Sequence, residues 1–101
     1  MYIFNTTYLV SDKMHGIWHK WLYEEHIPFM EKSGYFSNRQ ISKVLSNEQQ
    51  DGTSYSVQFH IPSLELLEEW EKQYGEQFLH NFSKKFGEEV LLFSTILEVM
   101  K

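Results

Sequence analysis

Four stretches of the chain are predicted to be β-strands, and hydrophobic and polar residues alternate along two of them, the second and the third. The first and second stretches run from Tyr2 to Val10 and from Tyr35 to Ser46, and the fourth runs from Glu89 to Met100. The third, Thr53 to Ile61, alternates most clearly, with Tyr55, Val57, Phe59 and Ile61 on one side and Ser54, Ser56, Gln58 and His60 on the other. Because successive side chains of a strand point to opposite faces, each stretch has one face suited to a core.

A helical pattern follows the first strand. Its apolar residues recur at three- and four-residue spacing, at Met14, Ile17, Trp18, Trp21 and Leu22. Ser11 or Asp12 can cap the first turn by accepting its free amide hydrogens. Pro28 has no amide hydrogen and predicts a kink or restart at His26-Ile27, and Gly34 is suited to a left-handed stop.

A second helix is predicted after Pro62-Ser63, with Ser63 as its cap. Its apolar stripe comprises Leu66, Leu67, Trp70, Tyr74, Phe78 and Phe82. Gly75 interrupts the stripe and predicts a bend, and Phe86-Gly87 ends the helix. Between the second and third strands, Asp51-Gly52 predicts a hairpin turn.

The order of elements is therefore β-α-β-β-α-β. Two right-handed crossovers around a hairpin predict an α+β, ferredoxin-like fold, in which a four-stranded antiparallel sheet carries both helices on one face. The absence of repeats, linkers and low-complexity segments predicts a single domain over residues 1–101.

The sheet face opposite the helices is predicted to be neutral rather than charged. Solvent-facing sheets usually carry charged residues that hinder edge pairing, so this face is better suited to burial against a second subunit in a two-fold homodimer. The alternative is an ordinary exposed sheet rich in Ser and Thr. A buried neutral His60 would need a hydrogen-bond partner, such as one across the two-fold axis. The predicted interface residues are Asn5, Thr7, Ser56, Gln58 and His60.

Composition narrows the classes of partner. The formal net charge is −5 and the basic residues do not form runs, so a nucleic-acid partner is disfavoured. No stretch has the length of a membrane span. The chain has no cysteine, which excludes disulfides and thiolate chemistry and fits a reducing cytoplasm. Aromatic residues make up 17% of the chain. This high fraction is suited either to the core of a small domain or to a surface that binds a ligand or a second subunit.

Three segments carry a resemblance to a known group: Trp21-Leu-Tyr-Glu-Glu-His-Ile-Pro28, Thr53-Ser-Tyr-Ser-Val-Gln-Phe59 and Phe93-Ser-Thr-Ile-Leu-Glu-Val99. The chain resembles a family of uncharacterised small bacterial proteins, a domain of unknown function within the dimeric α/β-barrel superfamily. That superfamily includes cofactor-free monooxygenases of the antibiotic-biosynthesis type, lyases, isomerases, haem proteins and non-enzymatic modules. The resemblance implies a ferredoxin-like fold and a homodimer, but it implies no particular activity.

His26 is the strongest candidate for chemistry because it precedes the proline break, where a side chain can point into a cleft between helix and sheet. The superfamily resemblance also implies a ligand cavity there. The structural alternative is that His26 bonds freed helix-end carbonyls. Aromatic residues that could wall or serve a cavity, or simply form the core, are Trp18, Trp21, Tyr23, Tyr55 and Phe59.

His15 and His19 have the i, i+4 spacing of a helical metal chelate, but no third ligand is evident, so no metal site and no cofactor are predicted. The leading functional hypothesis is a homodimeric module that binds a small apolar or aromatic ligand, or another protein. The alternative is a cofactor-independent oxygenase-like or isomerase-like enzyme that uses His26. A third hypothesis is haem binding with His26 as axial ligand.

Overall fold

Four strands form one antiparallel sheet in the computed structural model, which describes residues 1–45 and 52–100. They are β1 (Tyr2–Val10), β2 (Ser37–Lys43), β3 (Thr53–Ile61) and β4 (Val90–Glu98). Their order across the sheet is β2-β3-β1-β4, so β1 lies in the middle and pairs with both β3 and β4. This confirms the predicted α+β, ferredoxin-like arrangement.

The second strand is shorter than predicted at its start. The pairing register of β2 and β3 shifts between Ser37 and Gln40, and Asn38 has a positive φ of 50° within this irregularity. Phe36, predicted to be part of the strand, is instead buried in the core. The strand also ends earlier than predicted, at Lys43, since Val44 and Leu45 are not part of it. Ser46 and the turn residue Asp51 lie outside the described residues.

The first helical segment contains a 3-10 turn (Asp12–Met14), α1 (His15–Trp21), a π-helical turn (Leu22–His26) and α2 (Ile27–Lys32). Ser11 caps the start by accepting a hydrogen bond from the Met14 amide at 3.3 Å. The restart predicted at His26-Ile27 takes the form of the π turn, which places Pro28 in the first turn of α2. The helix is continuous through this turn, since the Ile27 amide donates to the Leu22 carbonyl, five residues earlier. The wider π turn gives room to the Pro28 ring, which in a regular α-helix would clash with the carbonyl four residues before it.

The second helical segment has the same construction: α3 (Leu64–Trp70), a π-helical turn (Glu71–Gly75) and α4 (Glu76–Phe86). Ser63 caps it by accepting a hydrogen bond from the Leu66 amide at 3.2 Å, as predicted. The predicted bend at Gly75 coincides with the end of the π turn. The segment stops at Gly87, whose φ is +57°.

The core lies between the helices and one face of the sheet, and it is unusually aromatic. The buried rings are Phe4, Tyr8, Trp18, Trp21, Phe36, Phe59, Trp70, Phe82 and Phe86. The buried face of α1 is narrower than predicted, since Ile17 lies at the edge of the stripe and is 52% exposed. Tyr74 is likewise 37% exposed. Among the described helices, none is long and apolar enough to cross a membrane.

Candidate functional site

A cleft of about 330 Å³ lies between the two helical segments. Each π turn contributes to its wall: Glu25 and His26 come from the first, and Tyr74 comes from the second. π-helical turns change the direction in which side chains leave a helix and occur frequently at functional sites. The remaining lining residues are Trp21, Phe29, Gln77, Phe78, Asn81, Phe82 and Lys85.

His26 lies in the aromatic wall of this cleft and is only 5% exposed. The Trp21 ring stacks nearly parallel to the imidazole at 4.8 Å, and the Phe78 ring lies 5.1 Å away. Burial in these surroundings disfavours the charged form and lowers the pKa of His26 from 6.5 to about 4. The imidazole is therefore neutral at physiological pH.

The imidazole of His26 has no hydrogen-bond partner within the part of the chain that the structure describes. Its side chain makes no capping bond at the start of α2, and the histidine side-chain bonds that form involve His15 and His60. The structural alternative, in which His26 bonds freed backbone carbonyls, is therefore not the arrangement observed. A neutral imidazole has one donor and one acceptor nitrogen, so it can bond to a ligand in either role.

The mouth of the cleft is polar. Gln77, Asn81 and Lys85 follow one another at four-residue spacing along α4, next to the aromatic row Phe78, Phe82 and Phe86. Gln77 Nε2 donates to Asn81 Oδ1 at 3.0 Å. The Lys85 ammonium lies 3.8 Å from the Glu25 carboxylate of the first helical segment, so this ion pair spans the mouth.

The aromatic residues predicted to line one cavity are divided between different places. Trp21 lines the cleft with His26, but Trp18 and Phe59 are fully buried in the core. Tyr55 stacks on Trp18 at 4.9 Å, and its hydroxyl bonds His15 Nε2 at 2.5 Å. Tyr23 is 44% exposed.

Sequence reasoning did not assign the α4 side of the cleft to a site. Phe78 and Phe82 were predicted only as buried stripe residues, and Asn81 and Lys85 received no role. A signal was present, because the polar residues at 77, 81 and 85 directly precede the phenylalanines at 78, 82 and 86. Two adjacent rows with four-residue spacing place a polar edge beside an aromatic face on one helix.

A second cavity of about 400 Å³ lies between the second helical segment and the sheet. It is mostly apolar, and Phe78 lines both this cavity and the cleft. The indole nitrogen of Trp70, on its wall, is buried without a hydrogen-bond partner in the described structure.

The sheet face away from the helices, here called the open face, has a hydrogen-bonded polar centre. Asn5 is 9% exposed; its amide donates to Thr7 Oγ1 at 3.2 Å and to Thr95 Oγ1 at 3.1 Å, and it accepts from the Ser56 hydroxyl. Gln58 pairs with Asn5 across the strands. His60 contacts Asn38 within the chain, at 3.4 Å.

The β4 side of the open face is apolar, and the β2 side carries uncharged polar residues such as Gln40, Ser42 and Ser54. Leu91, Phe93 and Leu97 are 55%, 62% and 42% exposed, and the strand register places Ile3 and Leu9 beside Leu97 and Leu91. The register places no Lys, Arg, Asp or Glu of the described strands on this face.

The rings of His15 and His19 lie side by side, with centroids 6.4 Å apart. In residues 1–45 and 52–100, no three or more His, Asp or Glu side chains are grouped so that they could hold a metal ion.

The fold is similar to that of several solved structures. A candidate antibiotic biosynthesis monooxygenase from Deinococcus radiodurans matches all of this chain and 94% of its own, with 19% identity and a TM-score of 0.70. An ethyl tert-butyl ether D (EthD) family protein from Bacillus halodurans matches 99% of this chain and 100% of its own, with 13% identity and a TM-score of 0.68. A dimeric ferredoxin-like protein from an uncultured marine organism matches 100% of this chain and 96% of its own, with 17% identity and a TM-score of 0.68. At these identities the likeness shows the fold and does not extend to activity.

No curated protein matches the chain. A family model does, and it spans residues 1–100. The resemblance of the three segments in the sequence is thereby confirmed, and the chain belongs to the family described as domain of unknown function DUF4286.

Proposed function

We propose that this protein is a homodimeric module that binds a small, mainly aromatic ligand in the cleft between its helical segments, with His26 as the polar anchor. One observation carries the proposal: a buried, neutral imidazole without a hydrogen-bond partner in the described structure lies in the aromatic wall of a cleft. The ring nitrogens of His26 are not among the fully enclosed polar atoms that lack a partner in the described structure, which are the Tyr8 hydroxyl, Trp18 Nε1 and Trp70 Nε1. They can therefore be reached from the cleft, and a ligand that bonds to them would replace water there.

The size and lining of the cleft support this proposal. Its volume of about 330 Å³ is at the lower end of the range of small-molecule sites. Ligand sites typically combine aromatic walls with a few convergent polar groups. Here the rings of Trp21, Phe78 and Phe82 form the wall, and the polar groups are His26 inside and Asn81 at the mouth.

An oxygenase-like or isomerase-like enzyme is the second candidate. It is supported by the position of His26 in a largely apolar cleft. A general base works best when its pKa lies near the operating pH. With a pKa of about 4, His26 is a weak base, so the observed geometry supports an anchoring role better.

The homodimer is proposed to form through the open face. The polar centre of this face is already hydrogen-bonded within the chain, through Asn5, Thr7, Ser56 and Thr95, so burial of that centre would leave few polar groups without a partner. The exposed apolar residues around them, Leu91, Phe93 and Leu97, would gain by leaving water. A two-fold axis is the simplest symmetry that covers a face with a copy of itself.

Ligand binding is tested with a library of small aromatic compounds, observed by the NMR shifts of the histidine and tryptophan ring protons. We expect bound compounds to shift His26 and Trp21 signals, and His26→Phe to weaken their affinity. The matched control is His80→Phe, since His80 is exposed on α4 and does not line the cleft. Compounds that bind equally well to wild type and His26→Phe would contradict the anchoring role.

The dimer is tested by light scattering coupled to size exclusion. Wild type is expected at twice the mass of one chain, and Phe93→Glu is expected at the mass of one chain, because the charge would be buried in the interface. Ile17→Glu is the control, since Ile17 is similarly exposed but lies on α1. A monomeric wild type would refute the dimer, and a dimeric Phe93→Glu would refute the interface.

A further inference from the structure

The charged residues at the mouth of the cleft distinguish between classes of ligand. Glu25 and Lys85 are the lining residues that carry a formal charge at neutral pH, since His26 is neutral. Their charged atoms are 3.8 Å apart, which is longer than a hydrogen bond. Exposed ion pairs of this kind contribute little free energy, so a ligand charge can displace either partner.

The two partners are not equally well placed to hold a ligand. The Lys85 side chain is 42% exposed and the Glu25 side chain 64% exposed, so the ammonium is the more enclosed charge. Lys85 also lies one turn after Asn81, whose Oδ1 accepts from Gln77 and whose Nδ2 is left as a donor. The mouth of the cleft therefore offers an ammonium and an amide donor on the same row of α4.

The aromatic wall is less suited to a cationic ligand. A cation is attracted to the face of an aromatic ring, above all that of tryptophan. One face of the Trp21 indole is covered by the His26 imidazole, at 4.8 Å and an interplanar angle of 14°, and the Phe82 and Phe86 rings meet it edge-on. Trp21 is only 9% exposed, so the cleft offers a cation little indole surface beside Glu25.

We propose that the cleft selects small aromatic carboxylates and that Lys85 is the residue that determines this specificity. The aromatic body of the ligand lies against Phe78 and Phe82. Its carboxylate replaces Glu25 beside the Lys85 ammonium and accepts from the Asn81 amide. This inference rests on the proposed function, because it concerns the ligand of the same cleft.

The test uses three probes of similar shape: 1-naphthoate, the neutral 1-naphthamide and the cationic 1-naphthylmethylamine. Dissociation constants are measured by NMR titration of wild type, Lys85→Met and Lys84→Met. In wild type, naphthoate is expected to bind about ten-fold tighter than naphthamide, the lower end of what a hydrogen bond to a charged group contributes. In Lys85→Met this preference disappears while naphthamide affinity is unchanged. Lys84 does not line the cleft, so Lys84→Met keeps the preference.

Other outcomes overturn the inference in distinguishable ways. If naphthamide binds as tightly as naphthoate, or if Lys85→Met keeps the preference, Lys85 does not determine specificity, although the cleft is still a binding site. If the amine binds best, the ligand class is cationic and Glu25 is its partner. If none of the three probes shifts the His26 and Trp21 signals, the inference falls with the proposed function.

Discussion

Acidification provides a direct test of the buried His26. The folded protein holds this side chain with a pKa of about 4, whereas the unfolded chain titrates near 6.5. Between these values the unfolded state binds more protons, so the free energy of unfolding falls as the pH falls. Above pH 6.5 His26 is neutral in both states and does not lower the free energy of unfolding. Below that pH it lowers this free energy progressively, down to about pH 4. At about pH 5 the loss amounts to about 2 kcal/mol relative to about pH 8.

The loss is measured by urea denaturation of wild type and His26→Phe across this pH range, at one fixed protein concentration because a dimer's stability depends on it. The cleft beside His26 has room for the larger ring. Subtracting the free energy of unfolding of His26→Phe from that of wild type isolates His26 from the other titrating groups, and the result should fall by about 2 kcal/mol between pH 8 and pH 5. His80→Phe should follow wild type. A difference that stays constant with pH, or an NMR titration of His26 near 6.5, would refute the argument.

Three further predictions concern the scaffold and are checked by thermal or urea denaturation. Gly16→Ala should stabilise the protein by about 0.5–1 kcal/mol, because Gly16 lies in α1 with open space around it. Gly87→Ala should destabilise the protein by about 1 kcal/mol or more, because Gly87 has a φ of +57°. Effects of the same sign would contradict this reasoning. Ser63→Ala should cost about 1 kcal/mol through loss of the cap on α3, and no measurable cost would disprove that role. Phe82→Ala should lower the free energy of unfolding by about 3–5 kcal/mol, since the Phe82 ring packs against Tyr8, Trp21 and Phe86. Leu45 is 87% exposed, so the control Leu45→Ala should change it by less than about 0.5 kcal/mol.

The fold could be predicted from the sequence because its local signals agree with one another. The alternation of Thr53–Ile61, the Ser63 cap and the Gly87 stop each identify an element or its boundary without reference to the rest of the chain. The π turns could not be predicted in this way. Pro28 and Gly75 predict a disturbance at each place, but the form it takes, one extra residue in the turn, is decided by how the whole segment packs.

The site was predictable only in part, for a geometric reason. The proline break led to the prediction of His26, which lines the cleft, but residue spacing within one helix cannot show what the neighbouring helix places opposite it. Trp21 and Trp18 differ by three residues, yet one lines the cleft and the other is buried against Tyr8 and Tyr55. The opposing wall comes from α4, more than fifty residues away in sequence, and only the packing of the two segments identifies it.

The two proposed activities occupy opposite sides of the sheet, which makes them separable. The cleft lies on the helical side, where Tyr8 of β1 supports the His26 imidazole edge-on, with ring centroids 6.5 Å apart. Neighbouring residues of the same strand, Asn5 and Thr7, belong to the open face. Because the cleft is formed by residues of one chain, a dimer through the open face is not required to complete it. Loss of dimerisation in Phe93→Glu should therefore leave the ligand affinity of a folded monomer unchanged, and failure of one proposal would not weaken the other.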